Sequence, residues 1–277
     1  MRNRRIPLLG SFFSGFLSFE KFLLSKRQKL VLSVIFLSIG LFVSEYFLGK
    51  SGIYIIFVLS ILTNVFLYLV LRSDLKNNFL PQIFILPFFY SLAFGMFYFL
   101  VPTRMLARII MTSLYTIGLY SLFLSENIFT VSSMRTIALL SGARTVAFTI
   151  TLVSFFFLSN VVFTLHLNVF ITLALIFIYT FSLVLHSLWS YSLEKSLRSE
   201  MIWVFFLTVC LFELSIVLWF WPSTPTLIAL FLTGVFYSLI GLTQAWFDKK
   251  LFKAVIWEYV SVSIIVFAAL VIYTSWV

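Results

Sequence analysis

Ionisable and strongly polar side chains are scarce in this chain, so each one set inside an apolar run marks a place where chemistry is possible. Glu213, in FFLTVCLFELSIVLWFW, stands about 12 residues into its run. At ~1.5 Å per residue that is roughly 18 Å along a helix, near mid-membrane. An ionisable group at such a depth costs about 2.5–3.5 kcal/mol on insertion scales and so requires a reason. Asn64, in SILTNVFLYL, sits at similar depth in another run. If the two helices touch, Glu213 hydrogen-bonds Asn64. The pair is then a proton or substrate site, or interhelical glue worth about 1 kcal/mol. His186, Gln244 and Glu258 lie on three other runs, each about a turn inside one boundary. On neighbouring helices they would form a small polar pocket, with the imidazole able to shuttle protons. Interfacial snorkelling accounts for each of them singly. His166 is 20 residues from His186 across one run, roughly 30 Å away, so the two cannot share a metal or a haem within one chain.

The missing motifs narrow the chemistry. There is no G-x-S-x-G elbow, H-E-x-x-H, P-loop or aspartate-rich Mg²⁺ motif. The only aspartates, Asp74 and Asp248, stand beside basic residues. Cys210 is the single cysteine, within an apolar run, and reads as a packing residue. No metal site and no cofactor are expected.

The elements that must position these residues are transmembrane helices. Hydrophobic residues make up 62% of 277 positions and charged residues 10%, against about 25% charge in soluble domains. Runs of spanning length fall at approximately 30–48, 52–71, 79–101, 105–125, 145–165, 168–191, 201–221, 226–246 and 254–276. The fold class is therefore all-α, a polytopic bundle of about nine spans, occupying 29–277 as one domain. Pro87 is expected to kink the third span. No GxxxG motif occurs and phenylalanine numbers 36, which predicts packing through bulky side chains.

The loops set an orientation. With the N-terminus in the cytoplasm, every Lys and Arg except Lys50, Arg104 and Arg108 falls inside, a strong positive-inside bias. The C-terminus is then outside, in a cytoplasmic (inner) membrane. The seven tryptophans, Trp189 among them, are expected in aromatic belts at the span ends. The net charge of +10 points to anionic lipid at the inner face rather than to nucleic acid. Residues 1–28 form a separate basic, amphipathic segment. Ser11, Ser14, Gly15, Ser18 and Lys21 share one helical face and Leu9, Phe12, Phe13 and Phe16 the other, the pattern of an interfacial helix. The first alanine is Ala93, so no A-x-A cleavage site stands near the start, and the segment is expected to be retained.

The longest polar interruption, SENIFTVSSMRTIALLSGAR (125–144), lies on the inner side in this topology. Ile128, Val131, Met134 and Ala138 make a narrow apolar stripe, which predicts a helix on the membrane surface. Spacing allows Glu126 to pair with Arg135 or Arg144. The segment 121–158 resembles part of an uncharacterised multi-span membrane family, a domain of unknown function, from uncultured small-genome bacteria. The resemblance implies a bacterial inner-membrane protein. It brings no activity, and it makes Glu126, Asn127, Arg135 and Arg144 the first loop residues to examine.

The functional expectation is an integral membrane protein without catalysis of its own, an accessory or lipid/small-ligand-binding bundle that can dock a protein partner through 125–144. Two alternatives stand beside it. One is a proton-coupled transporter using Glu213. The other is a lipid-modifying enzyme at the cytoplasmic face using His186 and Glu258.

Overall fold

The computed structural model describes residues 25–48, 52–75, 80–101, 104–132, 139–193 and 200–274. The expected interfacial helix of the N-terminal segment and Arg135 lie outside them. Nine helices among the described residues are long and apolar enough to span a membrane. They are α1 (Lys26–Leu48), α2 (Gly52–Leu75), α3 (Ile85–Tyr98, which reaches spanning length together with the 3₁₀ turn Pro81–Phe84 before it), α4 (Met105–Ser132), α5 (Leu140–Thr164), α6 (Val169–Ser192), α7 (Met201–Trp219), α8 (Pro225–Phe247) and α9 (Lys253–Tyr273). The protein is an all-α, multi-pass integral membrane bundle.

Alternation along the chain puts the start of α1 at the same end as the α2–α3, α4–α5, α6–α7 and α8–α9 connections. Lys26, Arg27, Lys29, Arg72, Arg144, Lys249, Lys250 and Lys253 gather there, and it is called the basic end below. Helix α5 is central, packed against α3, α4, α6 and α8. Helices α1 and α2 close one side, and α7, α8 and α9 the other. Helix α9 is peripheral, resting on α8 with Leu270 its only buried residue.

The interior is filled by rings and aliphatics. Trp189, Tyr90, Tyr115, Phe123, Phe155 and Phe236 are all fully buried. With no water in hydrocarbon, polar groups must find partners on neighbouring helices. Thr63, Ser91 and Tyr115 join α2, α3 and α4 through hydroxyl contacts of 2.9 and 3.0 Å. Ser159 and Tyr179 join α5 to α6 at 2.8 Å, and the Asn160 amide donates to Thr226 on α8 at 3.0 Å.

Several details depart from the sequence reading. Pro87 does not kink the middle of a helix. A 3₁₀ turn, Pro81–Phe84, precedes α3, and Pro87 falls in the first turn of α3, where a missing N–H is tolerated. Residues 125–132 are not a surface helix: they are the last two turns of α4, and Leu140 already belongs to α5. Close backbone approach is used after all, at α8–α9. A Cβ on Gly234 would come within 2.7 Å of Val266, and one on Gly241 would overlap the Tyr259 ring. Between them, Ser238 donates to the Tyr259 carbonyl at 2.8 Å and accepts from Ser263 at 2.8 Å.

Candidate functional site

The segment that reads as a surface strap carries the most deeply set acid of the described bundle. Along α4, Leu119, Leu122, Glu126, Phe129 and Thr130 recur every three or four residues, so they share one face, and all are buried. On α6, Tyr179, Leu183, His186 and Ser190 do the same. Where the two faces meet, His186 Nε2 stands 2.9 Å from Glu126 Oε1, with both side chains fully enclosed. This is the distance of a hydrogen bond.

Aromatic walls isolate the pair. The Trp189 ring lies 5.9 Å from the imidazole and meets Phe129 edge-on at 6.1 Å. The 3₁₀ turn before α3 packs against both α4 and α6 and carries the buried Gln82. Glu126 Oε2, His186 Nδ1, Trp189 Nε1, Gln82 Oε1 and Asn127 Oδ1 are buried and make no hydrogen bond among the described residues. The Glu126–His186 pair with Trp189 beside it is a polar site inside an apolar wall. It can hold a proton between acid and base. Among the described residues no three His, Cys, Asp or Glu side chains converge as a metal site would need.

A second polar layer lies outside the first, at the basic end. Arg144 on α5 donates from Nε to the Ser190 carbonyl at 3.3 Å and from Nη2 to the Tyr191 carbonyl. Its guanidinium also sits over the Tyr191 ring, 4.8 Å from the centroid. These donations satisfy carbonyls in the last turn of α6, which have no partner within the helix. The Tyr191 hydroxyl and the Lys250 ammonium, 3.1 Å away, donate toward Asp248 and hold its carboxyl below the usual range. Arg144 thereby ties α5 to the end of α6.

A family model described as a protein of unknown function, DUF5656, matches residues 31–273. The chain belongs to that family. No curated protein and no solved structure matches it. The DUF5656 match runs from within α1 to the end of α9, so the site just described lies wholly within the family's domain.

The remaining sequence candidates of this DUF5656 chain are dispersed. Glu213 is exposed on the outer face of α7. Asn64 is half-buried on α2 with its Oδ1 unpartnered among the described residues, and α2 packs on α1, α3 and α4 rather than on α7. The Glu213–Asn64 hydrogen bond is not made. His186 faces α4, Gln244 is half-buried on α8, and Glu258 is exposed on α9, so no common pocket joins the three. Glu126 pairs with His186 and not with Arg144. Trp189 is buried against the pair instead of standing in an aromatic belt.

Two shallow clefts open on the bundle surface. One, of about 300 Å³, lies between α1 and α4 at Ile35, Ile39 and Thr112. The other, of about 420 Å³, lies between α7, α8 and α9 and is lined by Leu214, Val235, Leu239, Val260, Ile264 and Phe267. Lys249, Lys250 and Lys253 are exposed at the basic end of the same α8–α9 pair.

Proposed function

We propose that this chain is a non-catalytic lipid-binding bundle of the cytoplasmic membrane, holding an anionic phospholipid in the cleft between α7, α8 and α9. One juxtaposition carries this reading. Val260 and Phe267 are 7 and 14 residues beyond Lys253, so the apolar cleft runs from roughly 10 to 21 Å inward from the lysines. A headgroup phosphate at Lys249, Lys250 and Lys253 would leave an acyl chain at the depth of the cleft. Each basic residue near an anionic surface contributes about 1 kcal/mol, and each buried CH₂ about 0.8 kcal/mol. The filled aromatic interior supports a surface ligand over a substrate path through the bundle. The concentration of cations at one end supports an orientation with that end, and the N-terminus, in the cytoplasm.

The test is native mass spectrometry of the protein released from nanodiscs of mixed phosphatidylglycerol and phosphatidylcholine. The wild type is expected to retain phosphatidylglycerol preferentially. Replacing the three lysines by Gln should abolish the preference while leaving some lipid bound. Ser263→Trp, which fills the cleft wall, should reduce retention of both lipids. Unchanged retention in both variants refutes the site.

A further inference from the structure

A carboxyl side chain exposed on the outside of a bundle, deep in the bilayer, demands a polar partner, and none is supplied by the described residues. Glu213 is such a group. It is three residues past the midpoint of α7, roughly 5 Å from the centre of that helix. Helix α7 packs on α6 and α8 only through its inner face, where Val204, Leu207, Thr208 and Leu211 are buried. Its outer face presents a continuous stripe at helical spacing: Ile202, Phe206, Val209, Glu213, Val217 and Phe220. Ile202, Phe206, Val217 and Phe220 are each more than half exposed. Lipid chains can cover the apolar members of this stripe but cannot hydrogen-bond the carboxyl at its middle.

We propose that the outer face of α7 is a homodimer interface in the membrane, closed by Glu213 meeting Glu213 of a second copy. Two arguments select a second copy over any other cover. The first is depth. Copies insert the same way round, so a closed dimer has its two-fold axis along the membrane normal, and each residue near the axis meets its own counterpart at the same height. The second is hydrogen-bond complementarity. A carboxylic acid has one O–H donor and one carbonyl acceptor, so two of them pair reciprocally and need no third group. The flanking Phe206, Val209, Val217 and Phe220 supply apolar contact above and below the polar centre. This surface is separate from the lysines proposed to hold lipid headgroups, and the inference does not depend on that reading.

The experiment uses the full chain in liposomes at low protein-to-lipid ratio. Cys210 is replaced by Ser, and Val217→Cys, one turn from Glu213, reports proximity by disulfide cross-linking. Cross-linked dimer is expected with glutamate at 213. Glu213→Gln keeps a donor and an acceptor and should leave the cross-linked fraction within about twofold. Glu213→Leu should lower association roughly tenfold, the scale of an interhelical polar contact in a membrane. Single-molecule photobleaching of the same variants without the cysteine checks the stoichiometry, and helix content by circular dichroism checks folding. Three results overturn the proposal: a wild type that is monomeric in photobleaching, a Glu213→Leu variant as dimeric as the wild type, or equal loss in Gln and Leu. The last would mean an ionised carboxylate meeting a cation.

Discussion

Glu126 and His186 are both fully enclosed and pair with each other, so the cost of losing one differs from the cost of losing both. Removing one partner leaves the other buried without its hydrogen bond, a loss of about 1–3 kcal/mol, whereas replacing both with apolar groups of similar shape is close to neutral. Glu126→Leu and His186→Leu are each expected to destabilise the bundle by that amount, and the double variant by less than either. Thermal unfolding in detergent micelles reads all three, and additive losses would show that the pair is not a coupled unit. Asp248 makes a different prediction. Its carboxyl titrates below the ordinary range because Tyr191 and Lys250 donate toward it. A carboxyl lowered on folding contributes stability above its unfolded pKa of about 3.9 and loses it as pH falls through the lower folded value. Asp248→Asn should therefore flatten the acid limb of the melting profile below about pH 4 and leave the profile near neutrality parallel to wild type.

At the scale of elements, hydropathy alone located the nine spanning helices of the described residues, because hydrocarbon requires long apolar runs. The end of α4 was hidden for a physical reason. Ser125, Glu126 and Thr130 look like surface residues by type, yet all three are buried, and Glu126 meets His186 of α6. The helical recurrence of Leu119, Leu122, Glu126 and Phe129 was the available signal. The identity of the partner was not in the sequence, since nothing local states that α4 and α6 are neighbours. The α8–α9 contact was missed because its small residues, Gly234, Ser238 and Gly241, do not all follow a four-residue repeat. Gly241→Leu should force α9 away from α8, at the cost of about 1–3 kcal/mol typical of overpacking. In a Cys210→Ser background, a disulfide between cysteines placed at Ser238 and Ser263 is expected to form. It should fail when Gly241→Leu is added. Formation at equal rate in both would show that α9 tolerates the larger side chain.

For the whole molecule, charge is distributed far more unevenly than apolarity. The basic end carries Lys26, Arg27, Lys29, Arg72, Arg144, Lys249, Lys250 and Lys253 among the described residues, and the opposite end Arg104 and Arg108. This asymmetry of positive charge is what can orient insertion. The proposed lipid site and the proposed orientation then depend on each other, because anionic headgroups attract lysines most strongly at the cytoplasmic leaflet. A single-cysteine pair separates the outcomes. In the Cys210→Ser background, Thr224→Cys marks the turn before α8, and Lys250→Cys marks the basic end. A membrane-impermeant maleimide added to intact cells is expected to label position 224 and to reach 250 only after the membrane is opened. The reverse pattern would invert the bundle and place the three lysines on the outer leaflet. Labelling of both in intact cells would mean mixed insertion, and a fixed headgroup site at one face would then be untenable.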